Sequence, residues 1–265
     1  MKRALNVLQT IVICTGTALL SLMALDPGRA GGEKSVAFSS EATPSAESIQ
    51  KLKQSGLSAK ELLPELIKSL DSPNEVVRLT AIETISELGS EGVPAIPSLI
   101  KAIQDKDMLV RAAATFALAG LGPQASSAIP QLVKLLGDPN RNIREGASLA
   151  LEKTGPEAVN PLISVVRKGS GVEVEMATQA LAGIGKPALT ALLSELCSKA
   201  ELCSKDERSW KPASSALAQM GAIPVDSLIE YLTGTDVALA QRAQETLIAI
   251  GSPAVPELTR ALRKK

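Results

Sequence analysis

Seven leucines, each seven to ten residues beyond a glycine, recur along this chain and decide what it can fold into. They are Leu66, Leu99, Leu132, Leu162, Leu192, Leu228 and Leu258, separated by 33, 33, 30, 30, 36 and 30 residues. The glycines before them are Gly56, Gly89, Gly122, Gly155, Gly185, Gly221 and Gly251. Self-similarity at such a period marks a stacked array, in which no unit can bury its apolar face alone. Hydrophobic residues make up 45% of the chain and aromatic ones 2%, so the core must be built from Leu, Ile, Val and Ala. That mixture suits helices packed closely at small side chains better than β-sheet. The spacing therefore predicts an all-α array of helix pairs.

Within a unit the first helix opens near a proline, as in Leu63-Pro64-Glu65-Leu66, Ile96-Pro97-Ser98-Leu99 and Ile129-Pro130-Gln131-Leu132. Proline suits a first turn, where its missing N–H would have had no partner. A turn follows, at Asp71-Ser72-Pro73-Asn74, Asp105-Lys106-Asp107 and Asp138-Pro139-Asn140. The second helix ends at the repeat glycine, which is expected to take the left-handed conformation that closes helices. Eight residues before that glycine stand Ala81, Ala114, Ala147, Ala177, Ala213 and Ala243; four before it stand Ile85, Leu118, Leu151, Leu181, Leu217 and Leu247. Steps of three and four trace one helical stripe. Alanine on that stripe lets neighbouring backbones approach, while the larger residues fill the layer.

The pattern Leu66-Ile67…Asp71…Val77-Arg78…Ala81…Leu88-Gly89, with its copies at Asp105…Val110-Arg111…Ala114 and Asp138…Ile143-Arg144…Ala147, resembles the HEAT repeat family. The likeness covers residues 57–265 and is greatest to the short bacterial repeats also found in phycobilin lyase subunits. It implies a right-handed α-solenoid of about six helix pairs with a terminal capping helix. It also implies a ladder between successive repeats, in which Arg78, Arg111 and Arg144 bond to Asp71, Asp105 and Asp138. Val174, Trp210 and Ala240 take the arginine register later in the chain, so apolar packing should dominate there.

Residues 46–56 read as a degenerate half-repeat that caps the array, and residues 31–45, polar and small, as a flexible linker. Lys2 and Arg3, an apolar stretch from Ile11 to Leu25 and the small residues before a cut at Ala30 make residues 1–30 a signal peptide. The alternative is an uncleaved anchor over residues 4–25, the one route to membrane contact. Both place the repeats outside the cytoplasm, in a periplasm or an equivalent compartment. Glu195-Leu196-Cys197-Ser198-Lys199-Ala200 is copied at once as Glu201-Leu202-Cys203-Ser204-Lys205-Asp206, which lengthens one unit to 36 residues. Export invites a Cys197–Cys203 disulfide. On a continuous helix six residues advance about 9 Å, too far for a bridge, so a bond requires a bend and free thiols are the other reading.

The chain has no histidine, which removes His-ligated metal sites and His-dependent triads. The iron site of deoxyhypusine hydroxylase, another HEAT-like protein, therefore cannot be copied here. No cofactor is expected. Asp105 and Asp107, spaced like a cation site, read as solvated turn acids. With 28 basic and 28 acidic residues there is no basic excess for nucleic acid. The expectation is a non-enzymatic scaffold that binds another protein; the alternative, implied by the resemblance, is a lyase-like or chaperone subunit for a tetrapyrrole. Residues six before each glycine should face the partner, and Phe116 and Leu149 there form an apolar spot. Trp210 and Tyr231 form a second candidate.

Overall fold

A computed structural model describes residues 45–169, 171–196 and 207–263. Among them lie fourteen α-helices and no strand. Helix α1 (Ala46–Gln54) precedes six pairs: α2 (Ala59–Ser69) with α3 (Glu75–Glu87), α4 (Ile96–Ala102) with α5 (Met108–Leu121), and α6 (Ile129–Leu135) with α7 (Arg141–Thr154). There follow α8 (Val159–Lys168) with α9 (Gly171–Ile184), α10 (Lys186–Leu196) with α11 (Glu207–Gln219), and α12 (Val225–Leu232) with α13 (Val237–Ile250). A single helix, α14 (Val255–Arg263), comes last. Contacts run along two rows. The odd-numbered helices pack successively on one another from α1 to α13, and each even-numbered helix packs beside its odd partner. This is an α-solenoid. Helix α1, which lies just before a repeat glycine, takes a second-helix place in the odd row.

The buried stripe lies where the periodicity puts it. All six alanines eight before the glycine are at 0% exposure, as are Leu118, Leu151, Leu181 and Leu217 four before it. The repeat leucines from Leu66 to Leu228 are buried too, while Leu258 on α14 is half-buried. Four second helices, α3, α5, α7 and α13, open on Asn or Asp caps, whose side chains satisfy N–H groups that a helix start leaves unpaired. Asn74 accepts from the Val76 N–H at 2.9 Å, Asp107 from Leu109 at 2.8 Å and Asn140 from Asn142 at 2.8 Å.

Three local expectations change. Pro64 sits inside α2 instead of opening it. The helix starts earlier because the Glu61 carboxylate accepts the Ser58 N–H at 2.9 Å and its hydroxyl at 2.6 Å. Pro97 and Pro130 do open their helices. The repeat glycines all have positive φ, but those capping α5, α7 and α13 lie outside the left-handed helical basin: Gly122 at φ 59°, ψ −132°, Gly155 at 81°, −140° and Gly251 at 71°, −134°. That region is open essentially to glycine alone. Ser45, assigned to the linker by composition, caps α1 by accepting from the Ser48 N–H at 3.1 Å.

After Gly89 and Gly122 the chain runs through seven-residue 3₁₀ segments, Gly89–Ala95 and Gly122–Ala128; after Gly155 the segment Gly155–Ala158 has four. The difference is three residues, one 3₁₀ turn. It accounts for the repeat leucine standing ten residues past Gly89 and Gly122 but seven past Gly155.

The arginine ladder is only partly built. Arg78 Nη1 donates to its own turn at the Ser72 carbonyl, 2.8 Å. Its Nη2 donates to Asp105 Oδ1 of the next repeat at 2.8 Å, and Nε lies 2.8 Å from Oδ2. Asp105 is thus a nearly buried ion-pair partner and not a solvated acid. Burial alone would raise its carboxyl, but the Asp107 N–H, then the Arg78 hydrogen bond and charge, hold it below the ordinary carboxylate value. Arg111 and Arg144 bond only to their own turns, at the Asp105 and Asp138 carbonyls, both 2.8 Å. No ion pair joins either arginine to the following repeat among the described residues, and the Nε of Arg144, like that of Arg78, is buried without a hydrogen-bond partner. Lys168 stands where a fourth turn acid would have to be. Asp71 is no rung at all. Ser72 takes its place, accepting from the Asn74 N–H at 3.3 Å as Asp105 and Asp138 accept from Asp107 and Asn140 at 2.8 Å.

Polar ties also cross the later repeats, contrary to the expectation of mainly apolar packing. Ser148 Oγ donates to the Met176 carbonyl at 3.0 Å. Arg167 Nε and Nη2 bond to the Glu195 carboxylate at 2.9 and 2.5 Å. The Ser214 and Thr246 hydroxyls meet at 2.7 Å, and Arg242 donates to the Leu196 carbonyl at 2.9 Å.

Candidate protein-interaction surface

With one side of each odd helix turned to the even row and two edges to its neighbours in the stack, one strip of each helix is left over. It comprises the positions 13, 10, 6 and 2 before the repeat glycine, the i, i+3, i+7, i+11 spacing of a single face. On α5 that strip carries Leu109, 60% exposed, and Phe116, 37% exposed. Val76 on α3 and Val172 on α9 stand in the register of Leu109 at 51% and 43% exposure, and Met108 is exposed beside it. Packed helices lie about 8–10 Å apart, so these side chains form a discontinuous apolar ridge across neighbouring repeats.

Phe116 lies beside the next helix. A Cβ on Gly146 of α7 would be crowded by Thr115 Cγ2 at 3.2 Å and would touch Phe116 Cζ at 3.5 Å, an ordinary contact distance. The phenyl ring therefore stands at the α5–α7 seam and is still 37% exposed. Leu149, its expected companion, is half-buried and packs on the core. Trp210 and Tyr231 are likewise half-buried against the core, and the Arg242 guanidinium lies 5.7 Å from the Trp210 ring centroid, within cation–π reach. These rings therefore help to hold α11, α12 and α13, and Phe116 alone of the four aromatic and aliphatic candidates is well exposed. Cys197 and Cys203 lie outside the described residues, as do residues 1–44.

Sequence reasoning missed Val76, Met108, Leu109 and Val172. The signal was present: stepping back two further turns from the Phe116 register lands on three apolar residues in four repeats. The polar part of the strip carries Glu83 and Glu87 on α3, Glu145 on α7 and Glu175 on α9, but also Lys153 on α7 and Arg208 and Lys211 on α11. Glu87 pairs with Lys53 of α1, and Glu145 with Arg141 at 2.7 Å. Desolvation and then the neighbouring Glu87 charge push the Glu83 carboxyl above its ordinary value, with Lys53 pulling the other way. Among the described residues no helix is long and apolar enough to cross a membrane.

A protein-family model described as HEAT repeats matches the chain at residues 40–119 and again at 96–182. No curated protein sequence matches it. Among solved structures it is similar to the complex of CpcE and CpcF of phycocyanin lyase from a Nostoc species, at 24% identity over 81% of this chain and 81% of that one, TM-score 0.43. It is also similar to the archaeal HEAT-like repeats protein from Thermococcus onnurineus (17% identity, 80% and 98% covered, TM-score 0.44). A designed armadillo repeat protein is a third (20% identity, 71% and 100% covered, TM-score 0.40).

Proposed function

The chain belongs to the HEAT repeat family, and from that premise we propose that it is a non-enzymatic scaffold, docking another protein on the exposed strip of its odd-numbered helices. The carrying observation is the ridge of Val76, Leu109, Phe116 and Val172. Large apolar side chains kept in water on the same strip of three of the repeats gain free energy when a partner covers them. The absence of histidine supports a binding role over His-dependent chemistry.

The compartment is part of the same proposal. Residues 1–30 direct export and are removed, which leaves the array in a periplasm or its equivalent. Mass spectrometry of the N-terminus of the exported protein should find it at Gly31. An intact Met1 in a membrane fraction would select the anchored alternative over residues 4–25.

Docking is tested with a photo-crosslinking amino acid placed in turn at Leu109, at Phe116 and, as a control, at Glu230 on even-row helix α12. A shared adduct from the first two sites and none from the third is expected. Adducts of equal yield at all three sites, or none at Leu109 and Phe116, would refute the assignment of the face.

A further inference from the structure

The two ends of the described stack are finished differently. Along the odd row, positions 9 and 5 before the glycine face the preceding helix, and positions 11, 7 and 3 face the following one. Thr246 thus meets Ser214, Ser148 bonds to Met176, and Glu152 lies beside Gly183. On α1 the preceding-side register holds Glu47 and Lys51, both exposed, a polar edge of the kind that closes repeat arrays. On α13 the following-side edge holds Val237, Ala240, Gln244 and Ile248, spaced as one helix face. Val237 is 81% and Ile248 71% exposed. Position 7 is buried on all five earlier second helices, as Ile82, Thr115, Ser148, Thr178 and Ser214, whereas Gln244 is exposed. Helix α14 packs on α12, one layer beyond α13. Its Leu262 is 75% exposed at a register that Leu70, Ile103, Leu136, Val166 and Leu196 bury in the first five pairs. The open place therefore lies over α13 and beside α14, where a seventh second helix would stand, and among the described residues nothing occupies it.

We infer that a second copy of this chain fills the place with its own α13, the two α13 helices lying parallel about a two-fold axis that runs along them. Such an axis sets each edge residue against itself, and the edge suits that. It bears no charge, Val237 and Ile248 are apolar at its two ends, and Ala240 lets the backbones approach. Gln244, between them, is both donor and acceptor, so its amide can bond to its own copy, as a single polar residue does in a parallel helix pair. The same operation carries the other copy's α14 to the side of α13 away from α12. That side holds Ala238, Gln241, Glu245 and Ala249, with one acid, and the arriving helix carries Arg260 and Arg263 against Glu257 alone. The remaining charge on α13, Arg242, is turned back onto Leu196 and Trp210. Head-to-tail stacking fits less well, because it would press Glu47 and Lys51 of α1 onto Val237 and Ile248 and strip their water without partners. The contact is thus isologous and closes at two copies.

Sedimentation velocity of the full chain over a dilution series tests this. Dimers should form and dissociate on dilution. Gln244→Lys and Gln244→Glu should each weaken self-association about tenfold or more by setting like charges across the axis, and an equimolar mixture of the two should restore it. Recovery in the mixture cannot come from a folding defect, since neither variant is repaired by the other unless they meet. Leu109→Lys, on the α5 strip, should leave the dimer unchanged, which keeps this contact separate from the docking face. A photo-crosslinking amino acid at Gln244 should give an adduct of two copies that maps to α13. A chain that stays monomeric throughout, association undiminished in both Gln244 variants, a mixture no better than either alone, or an adduct that maps to α1 overturns the inference.

Discussion

The first three repeats and the last three bury the same stripe but are tied together by different polar devices. In α3, α5 and α7 an arginine at one register hooks back on the carbonyls of its own turn, and Arg78 reaches on to Asp105 of the next repeat. From α8 onward that register holds Val174, Trp210 and Ala240. The ties move to Arg167–Glu195, to the Ser214–Thr246 hydroxyls and to Arg242 lying on Leu196 and Trp210. The alanines and leucines of the seam stay at or near full burial in both halves. Aliphatic packing at the repeat period thus specifies the stack, and the polar bonds specify how each pair of layers is pinned. In an array where each repeat touches only its neighbours, such pins act locally.

The comparison can be broken most directly at Arg78. Arg78→Ala removes the ion pair to the partly buried Asp105 as well as the bond to its own turn and should cost about 2–3 kcal/mol, against about 1 for Arg111→Ala, which loses only bonds to its own turn. Urea unfolding gives the difference. Hydrogen exchange should place the Arg78→Ala loosening between α3 and α5 and leave α9 to α13 protected. Equal losses at Arg78 and Arg111 would mean that the cross-repeat pair adds nothing.

The same variant carries a pH signature. The Asp105 carboxyl sits below its ordinary value, so its contribution to stability is present above the unfolded carboxylate pKa and is lost as pH falls through the lower, native one. The gap between wild type and Arg78→Ala should therefore be wide at about pH 7 and narrow towards about pH 3. A gap independent of pH would detach the effect from Asp105.

Ala114→Leu and Ala213→Leu ask whether the seam is uniform. Each inserts a larger side chain at a fully buried position and should cost about 1–3 kcal/mol by overpacking, with similar values in the two halves. A cost confined to one half, read from thermal or urea unfolding, would show that the layers differ in more than their pins. The smallest effect is expected for Ser214→Ala, about 0.5–1.5 kcal/mol, because Thr246 keeps its bond to the Arg242 carbonyl at 2.8 Å.

Much of this was legible in the residues. The helix pairs, the alanine and leucine registers and the place of α1 in the row of second helices follow from a period that aliphatic burial enforces, and Asn74, Asp107 and Asn140 announce the second helices. The rungs were harder to read, because Arg78, Arg111 and Arg144 share one sequence pattern while a cross-repeat ion pair depends on how adjacent layers are rotated. For Arg144 the answer was in plain sight, since Lys168 occupies the place of the next acid. Asp71 misled because it is an acid one residue out of register, where Ser72 performs the turn's hydrogen bonding. At the candidate face Phe116 was found from its register, but Leu109 was not: an apolar residue in the first turn of a helix looks like core until the packing shows that nothing covers it.

The 3₁₀ bridges have a consequence for how such a chain can vary in length. A helix of three residues per turn returns to its starting angle after each triplet, so adding or deleting one triplet leaves everything downstream facing the same way. Gly89–Ala95, Gly122–Ala128 and Gly155–Ala158 are two settings of one adjustable spacer. A single triplet gained or lost there keeps the buried alanines and leucines of later repeats in place, as Ala114, Ala147 and Ala177 at 0% exposure on either side of the change in spacing show, whereas one or two residues should twist the later repeats out of phase.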